Sequence, residues 1–210
     1  MTETASADHT VTSLAALEAL YDAPGEAAIL KEIDHVNAPY RALIEAAPFV
    51  VIATGGTGGF DCSPRGDPAG FVRIADERTL LIPDRRGNNR IDTLRNLIED
   101  PRIALLFMIP GYDETLRVNG RAVISTDPAL TESFRLDGKA PRTVIVVTVK
   151  RVYFQCSKAL VRSRLWDPER RVARGTLPTA GRILAACSQG RIAATPFDDA
   201  YPARVKATLY

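Results

Sequence analysis

At Pro48 the periodicity of the chain changes, and that change sets the class of fold open to it. Before it, apolar residues recur at helical spacing; after it, residues 49–54 read Phe-Val-Val-Ile-Ala-Thr, a continuous apolar and largely β-branched run. Such side chains are stiff at χ1 and suit a pleated surface, and an unbroken apolar run is a strand covered on both faces. Further strands are predicted over 60–65, 71–74, 79–83, 103–109, 115–125 and 143–156, the last centred on Val144, Ile145, Val146, Val147, Thr148 and Val149. Gly120 interrupts the alternation of 115–125. Helices are expected at 13–20 with Ser13 as cap, at 27–47 with a break or kink at Pro39, and at 127–136 with Asp127 as cap and Pro128 first. One more starts at Asn88 or Asn89, carries Ile91, Leu94, Leu97 and Ile98 on one face, and stops at Pro101. After Lys158 the strand signal ends, and only a short helix at 182–186 is expected. Strands interrupted by a few helices predict an α+β fold around a mostly antiparallel sheet or barrel.

A chain of 210 residues suits one domain with an extension, and its 46% apolar and 25% charged residues are ordinary for a globular protein. The formal charge of +2 argues against a nucleic-acid coat or a binder of acidic membranes. Cys62, Cys156 and Cys187 are odd in number and form no Cys-x-x-Cys pair, so reduced, mostly buried thiols are expected, with no disulfide framework and no metal site. Residues 1–12 read as a frayed lead-in; with neither a basic segment nor an apolar core they do not form a signal peptide, and no run reaches membrane-spanning length. The expected location is the cytoplasm.

The stretch 82–92 carries the most chemistry. It joins a strand end, a polar loop and a capped helix start. A helix N-terminus offers unpaired N–H groups and a positive dipole end, and Arg85, Arg86 and Arg90 add charges whose planar forks fit a phosphate. The same residues would equally make a solvated basic loop beside an ordinary cap. Glycines 55, 56, 58 and 59 open a hairpin, since no Gly-Lys-Ser/Thr follows and no helix begins there. His9 and His35 lie too far apart to build a triad or a zinc site, and no Gly-x-Ser-x-Gly is present, so the acid–base toolkit is thin and a cofactor would carry the chemistry. Trp166 sits in the basic run Arg162-Ser163-Arg164-Leu165-Trp166; it either stacks on a flat ligand or anchors the tail.

Several of these segments, taken in order, resemble a known family. The runs Phe71-Val72-Arg73-Ile74, Thr79-Leu80-Leu81-Ile82-Pro83-Asp84, Asn88-Asn89-Arg90, Leu94-Arg95-Asn96-Leu97, Asp100-Pro101-Arg102-Ile103 and Leu116-Arg117-Val118-Asn119-Gly120-Arg121-Ala122 are similar to the pyridoxamine 5'-phosphate oxidase-like, FMN-binding split-barrel proteins. Phe154-Gln155-Cys156-Ser157-Lys158-Ala159 and the run ending at Trp166 are similar to a bacterial subgroup of FMN-dependent proteins without an assigned reaction. The resemblance covers about residues 45–168. It implies a six-stranded split β-barrel with flanking helices, a homodimer, and FMN held at the dimer interface. Domain limits would then be 1–44 for a helical extension, 45–168 for the FMN-binding barrel and 169–210 for a C-terminal extension.

Carried over by position, Arg90 matches the family's basic phosphate contact, and Asn88 and Asn89 stand where the family often has Ser and Arg. Pro83 and Asp84 would lie near the flavin, Arg73, Thr115 and Arg117 on strands lining the pocket. Lys158, Arg162, Ser163 and Trp166 would close the site from the partner subunit. The family's true oxidases carry Arg-Leu-His where this chain has Arg164-Leu165-Trp166, which argues against oxidation of vitamin B6 itself. The implied activity is an FMN-dependent oxidoreductase acting on a small molecule. Deazaflavin (F420) or haem in the same barrel, or a flavin-binding protein without catalysis, are the alternatives. No nucleic acid, membrane or metal is expected as a partner.

Overall fold

The computed structural model describes residues 9–173 and 175–210. The first eight residues of the expected lead-in lie outside the described residues. Two compact units divide the chain, one up to Glu32 and one from Ile33 to Tyr210. In the first, α1 (Leu14–Glu18) and α2 (Glu26–Leu30) bury no residue. Ser13 caps α1 by accepting from the Ala16 amide at 3.2 Å.

The second unit is built on one antiparallel sheet of seven strands. In chain order these are β1 (Phe49–Gly56), β2 (Gly59–Gly66), β3 (Arg73–Asp76), β4 (Thr79–Pro83), β5 (Arg102–Met108), β6 (Thr115–Ser125) and β7 (Val144–Gln155). They lie in the order β2-β1-β5-β6-β7-β4-β3 and every pairing is antiparallel. The α+β, antiparallel class therefore holds. The count of six does not: each of the seven predicted runs forms a strand, the third shifted from 71–74 to Arg73–Asp76, and the order of the sheet does not close.

The longest strand, β7, is central, as its β-branched run requires: it pairs with β6 on one side and β4 on the other. Val50, Ile52, Leu80, Ile82, Val118, Val144, Ile145, Val147 and Val152 are fully buried. The register of β6 on β7 slips between Asn119 and Gly120, making a bulge. A Cβ at Gly120 would run into the Thr148 carbonyl, so only glycine lets the strands approach there. Between β1 and β2, Gly59 takes φ +109° to turn the hairpin, and Thr57 at its tip donates to Glu99.

Two expectations for these helices change. The predicted helix 27–47 is two pieces, α2 and α3 (Ala38–Ala46), because Asn37 caps Tyr40 and Pro39 occupies the first turn of α3, where its missing N–H costs nothing. The intervening Ile33 forms a β-bridge with Val152. The helix after β4 is α4 (Asp92–Glu99), and neither Asn88 nor Asn89 caps it. Ile91 stands at the cap in the left-handed region, φ 54°, without a side-chain bond. Asn88 instead accepts from the Arg90 amide at 3.0 Å, and Asn89 also turns at φ 60°, so the loop runs two residues further. α5 (Pro128–Ser133) carries the expected Asp127 cap.

After β7 the chain is more helical than expected, with α6 (Lys158–Ser163), α7 (Ala180–Cys187) and α8 (Ala194–Ala207). Tertiary partners explain this: Asp198 of α8 accepts from the Gly181 amide and the Thr179 hydroxyl at the start of α7. Cys62, Cys156 and Cys187 are all exposed rather than buried. Cys62 is on an outer strand whose alternate residues face out, so its small apolar side chain is not taken into the core. Among the described residues no helix is long and apolar enough to cross a membrane.

Candidate functional site

A cleft of about 1190 Å³ opens where β2, the loop from Asp84 to Ile91, the start of α4 and the segment before β7 meet, with Leu209 and Tyr210 on its rim. Its chemistry begins in β2. The strand period of two puts Asp61, Ser63 and Arg65 on one half-buried face and Phe60, Cys62 and Pro64 on the exposed one. α4 packs over that face. Thr93 of its first turn is 2% exposed, and its hydroxyl donates to Asp61 Oδ2 at 2.5 Å while accepting from Arg65 Nη2 at 3.2 Å. Arg65 also donates to the Pro64 carbonyl at 3.0 Å. Its guanidinium is thus held in place before any ligand arrives.

Asp84, at the end of β4, lies 3.7 Å from Arg65 and donates its amide to the Thr143 carbonyl at 3.0 Å. Burial pushes its carboxyl above the ordinary 3.8, and the charge of Arg65 pulls part of the way back. Arg85 turns away, with Nε 2.7 Å from Asp67 and a second donor 2.7 Å from the Phe134 carbonyl. Arg90 pairs with Asp92 at 2.8 Å on the exposed side. Arg86 and Arg142 face the cleft and carry no ion pair among the described residues. Six cationic side chains and three carboxylates line the cleft. With the amides of the α4 first turn nearby, the site is set for an anion larger than an inorganic ion.

Of the residues picked out by sequence, Asp84, Asn88, Asn89 and Arg90 line this cleft. Pro83 is buried in the β4–β7 pairing beside it. Arg73 is spent elsewhere: it donates to the Ser133 carbonyl at 2.7 Å and stacks 3.9 Å over the Phe134 ring. The others gather at the far end of β7. Thr115 pairs with Gln155, Arg117 lies 5.9 Å over the Tyr153 ring, and Lys158, Arg162 and Ser163 are on α6 just beyond. Trp166 donates to the Tyr112 carbonyl at 2.9 Å, which anchors the loop after β5. From Val144 to Gln155 is eleven steps of strand, about 36 Å of contour at roughly 3.3 Å per residue. None of this second group lines the cleft.

Arg65, Thr93, Lys139, Arg142 and Tyr210 line the cleft and were not singled out from sequence. The alternation Asp61-x-Ser63-x-Arg65, polar on a strand covered by a helix, is a signal that points to the first of them. Nothing local marks Tyr210.

Residues 36–156 match the family model for pyridoxamine 5'-phosphate oxidase. Among solved structures, HupZ of Group A Streptococcus is 20% identical over 57% of this chain and 93% of its own, with a TM-score of 0.46. An FMN-binding protein from Syntrophomonas wolfei is 12% identical over 55% and 88%, with a TM-score of 0.42. General Stress Protein 26 from Bacillus anthracis is 14% identical over 54% and 88%, at 0.43. No curated protein matches the chain.

Proposed function

Because this chain belongs to the pyridoxamine 5'-phosphate oxidase family, we propose that its cleft binds FMN and that the protein is an FMN-dependent oxidoreductase acting on a small molecule. The observation that carries this reading is Arg65, pinned by Thr93 of the first turn of α4 in a cleft lined by six cationic side chains. A phosphate monoester is the anion such a fork and helix start suit best. The volume, about 1190 Å³, leaves room for a planar ring system beside the phosphate. Arg65, Arg90 and the backbone from Asn88 to Asp92 would hold the phosphate, with Arg86 and Arg142 adding charge. Asp84 would border the ring and, with a carboxyl raised above its ordinary value, hold a proton more readily than a surface aspartate. When bound, the flavin supplies hydride transfer at its N5 atom. The protein's part is to orient the ring and keep water from it.

We further propose that two copies of the chain are needed for one complete site. Thr115, Arg117, Lys158, Arg162, Ser163 and Trp166 lie nine or more residues along β7 from the cleft, about 30 Å of strand at roughly 3.3 Å per residue, so they would reach a ligand there from a second subunit.

Purification with the native ligand, followed by an absorbance spectrum and the mass of what is released on denaturation, tests the reading. Two visible and near-UV bands and the mass of FMN are expected. A haem Soret band, a single violet deazaflavin band, or a colourless protein that ignores added FMN would overturn it. Mixing chains carrying Arg65→Met with chains carrying Trp166→Ala tests the shared site: the mixed dimer should regain tight sites, at most half of the total, and a mixture no better than either parent refutes the arrangement.

A further inference from the structure

The segment after α8 returns to the cleft and closes one side of it with Leu209 and Tyr210. α8 itself buries no residue; Asp198 ties it to α7, and the segment after it ties it to the cleft. The Tyr210 hydroxyl donates to Asp67 Oδ1 at 2.9 Å. That carboxylate is 2% exposed, and its other oxygen accepts from Arg85 Nε at 2.7 Å. Lys139 Nζ donates to the main-chain oxygen of Tyr210 at 2.7 Å, and the Arg85 guanidinium lies 5.7 Å from the Tyr210 ring. The hydrogen bond to Asp67 also pushes the phenol above its ordinary value of 10, so it remains a donor at neutral pH.

We propose that Leu209–Tyr210 is a gate over the cofactor cleft, latched by Tyr210 on Asp67, whose opening limits how fast the ligand enters and leaves. The proposal rests on the flavin-binding reading above. The latch contacts join groups of the protein to one another, so on this proposal the latch is equally strong with the cleft full or empty. Weakening it must then speed entry and release by the same factor and leave their ratio unchanged. A ligand contact behaves differently: its loss speeds release alone and weakens affinity.

Rapid mixing of the full chain with FMN, followed by flavin fluorescence, separates the two. A hydrogen bond to a charged group, once removed, shifts an open–closed equilibrium on the order of ten-fold. Tyr210→Phe should therefore raise both rate constants about ten-fold with Kd held within about two-fold, and Tyr210→Ala at least as far. Unchanged rates, a rise in release alone, or a tighter Kd would each overturn the gate. A readout without ligand keeps the two proposals apart. In protein labelled with 3-fluorotyrosine, the Tyr210 fluorine signal is identified by its loss in Tyr210→Phe. Asp67→Ala, which removes the acceptor, should move it to the solvent-exposed position, and an unmoved signal refutes the latch. If wild-type protein binds no FMN, the cofactor reading fails while the fluorine measurement still decides the latch.

Discussion

Replacing Arg65 by Met keeps most of the side chain's length and removes its charge and fork. In the structure Arg65 is held at two points, through Thr93 on α4 and the main chain of β2. Its ordering is therefore settled before binding, and little conformational entropy offsets its contact with a ligand. A hydrogen bond to a charged group contributes about 1.5–3 kcal/mol. At 1.4 kcal/mol per factor of ten, Arg65→Met should weaken FMN binding about 10- to 150-fold. Riboflavin, which lacks the phosphate, isolates that term. The affinity of wild-type protein for FMN over riboflavin should collapse in the variant by the same factor, while riboflavin binding stays within about two-fold. The assay is quenching of flavin fluorescence on titration, at fixed salt because exposed charges around the cleft are screened. An unchanged ratio of the two affinities in Arg65→Met would refute the assignment of Arg65 to the phosphate.

Asp84→Asn should raise the thermal midpoint at pH 7–8. A folded-state value above the ordinary 3.8 favours the protonated form, so the stability this carboxyl contributes is present at low pH and lost as pH rises through the folded value. The gain should fade as pH approaches 4, and a lower midpoint at pH 7.5 would mean that the attraction of Arg65 outweighs burial. Ile91→Asn should stabilise the apoprotein by about 1 kcal/mol in urea unfolding, because a β-branched residue at φ 54° carries steric strain that asparagine tolerates. Equal or lower stability would count against that strain. Gly120→Ala should cost about 1–3 kcal/mol by the same measurement, since its Cβ meets the Thr148 carbonyl across the β6–β7 bulge. A neutral result there would mean that the strands part without penalty.

The sequence by itself determined what depends on near neighbours along the chain. The seven predicted runs became seven strands because placement on a pleated sheet follows directly from a period of two or an unbroken β-branched stretch. The caps at Ser13 and Asp127 could be read because each closes a hydrogen bond within two or three residues. The interruption at Gly120 was legible too, though not its partner Thr148. Half of the candidate cleft was visible as well, in the loop through Asn88, Asn89 and Arg90. The rest belongs to tertiary structure. Only α4 packed across β2 joins Thr93 to Asp61 and Arg65, 32 and 28 residues away, and only the folded return of the chain sets Tyr210 on Asp67, 143 residues distant. The start of α4 at Ile91, the exposed cysteines and the distance between the cleft and Trp166 have the same origin. A single hydrogen bond or ion pair between distant segments is worth too little to leave a periodic mark on the sequence; it forms because the sheet has already brought those segments together.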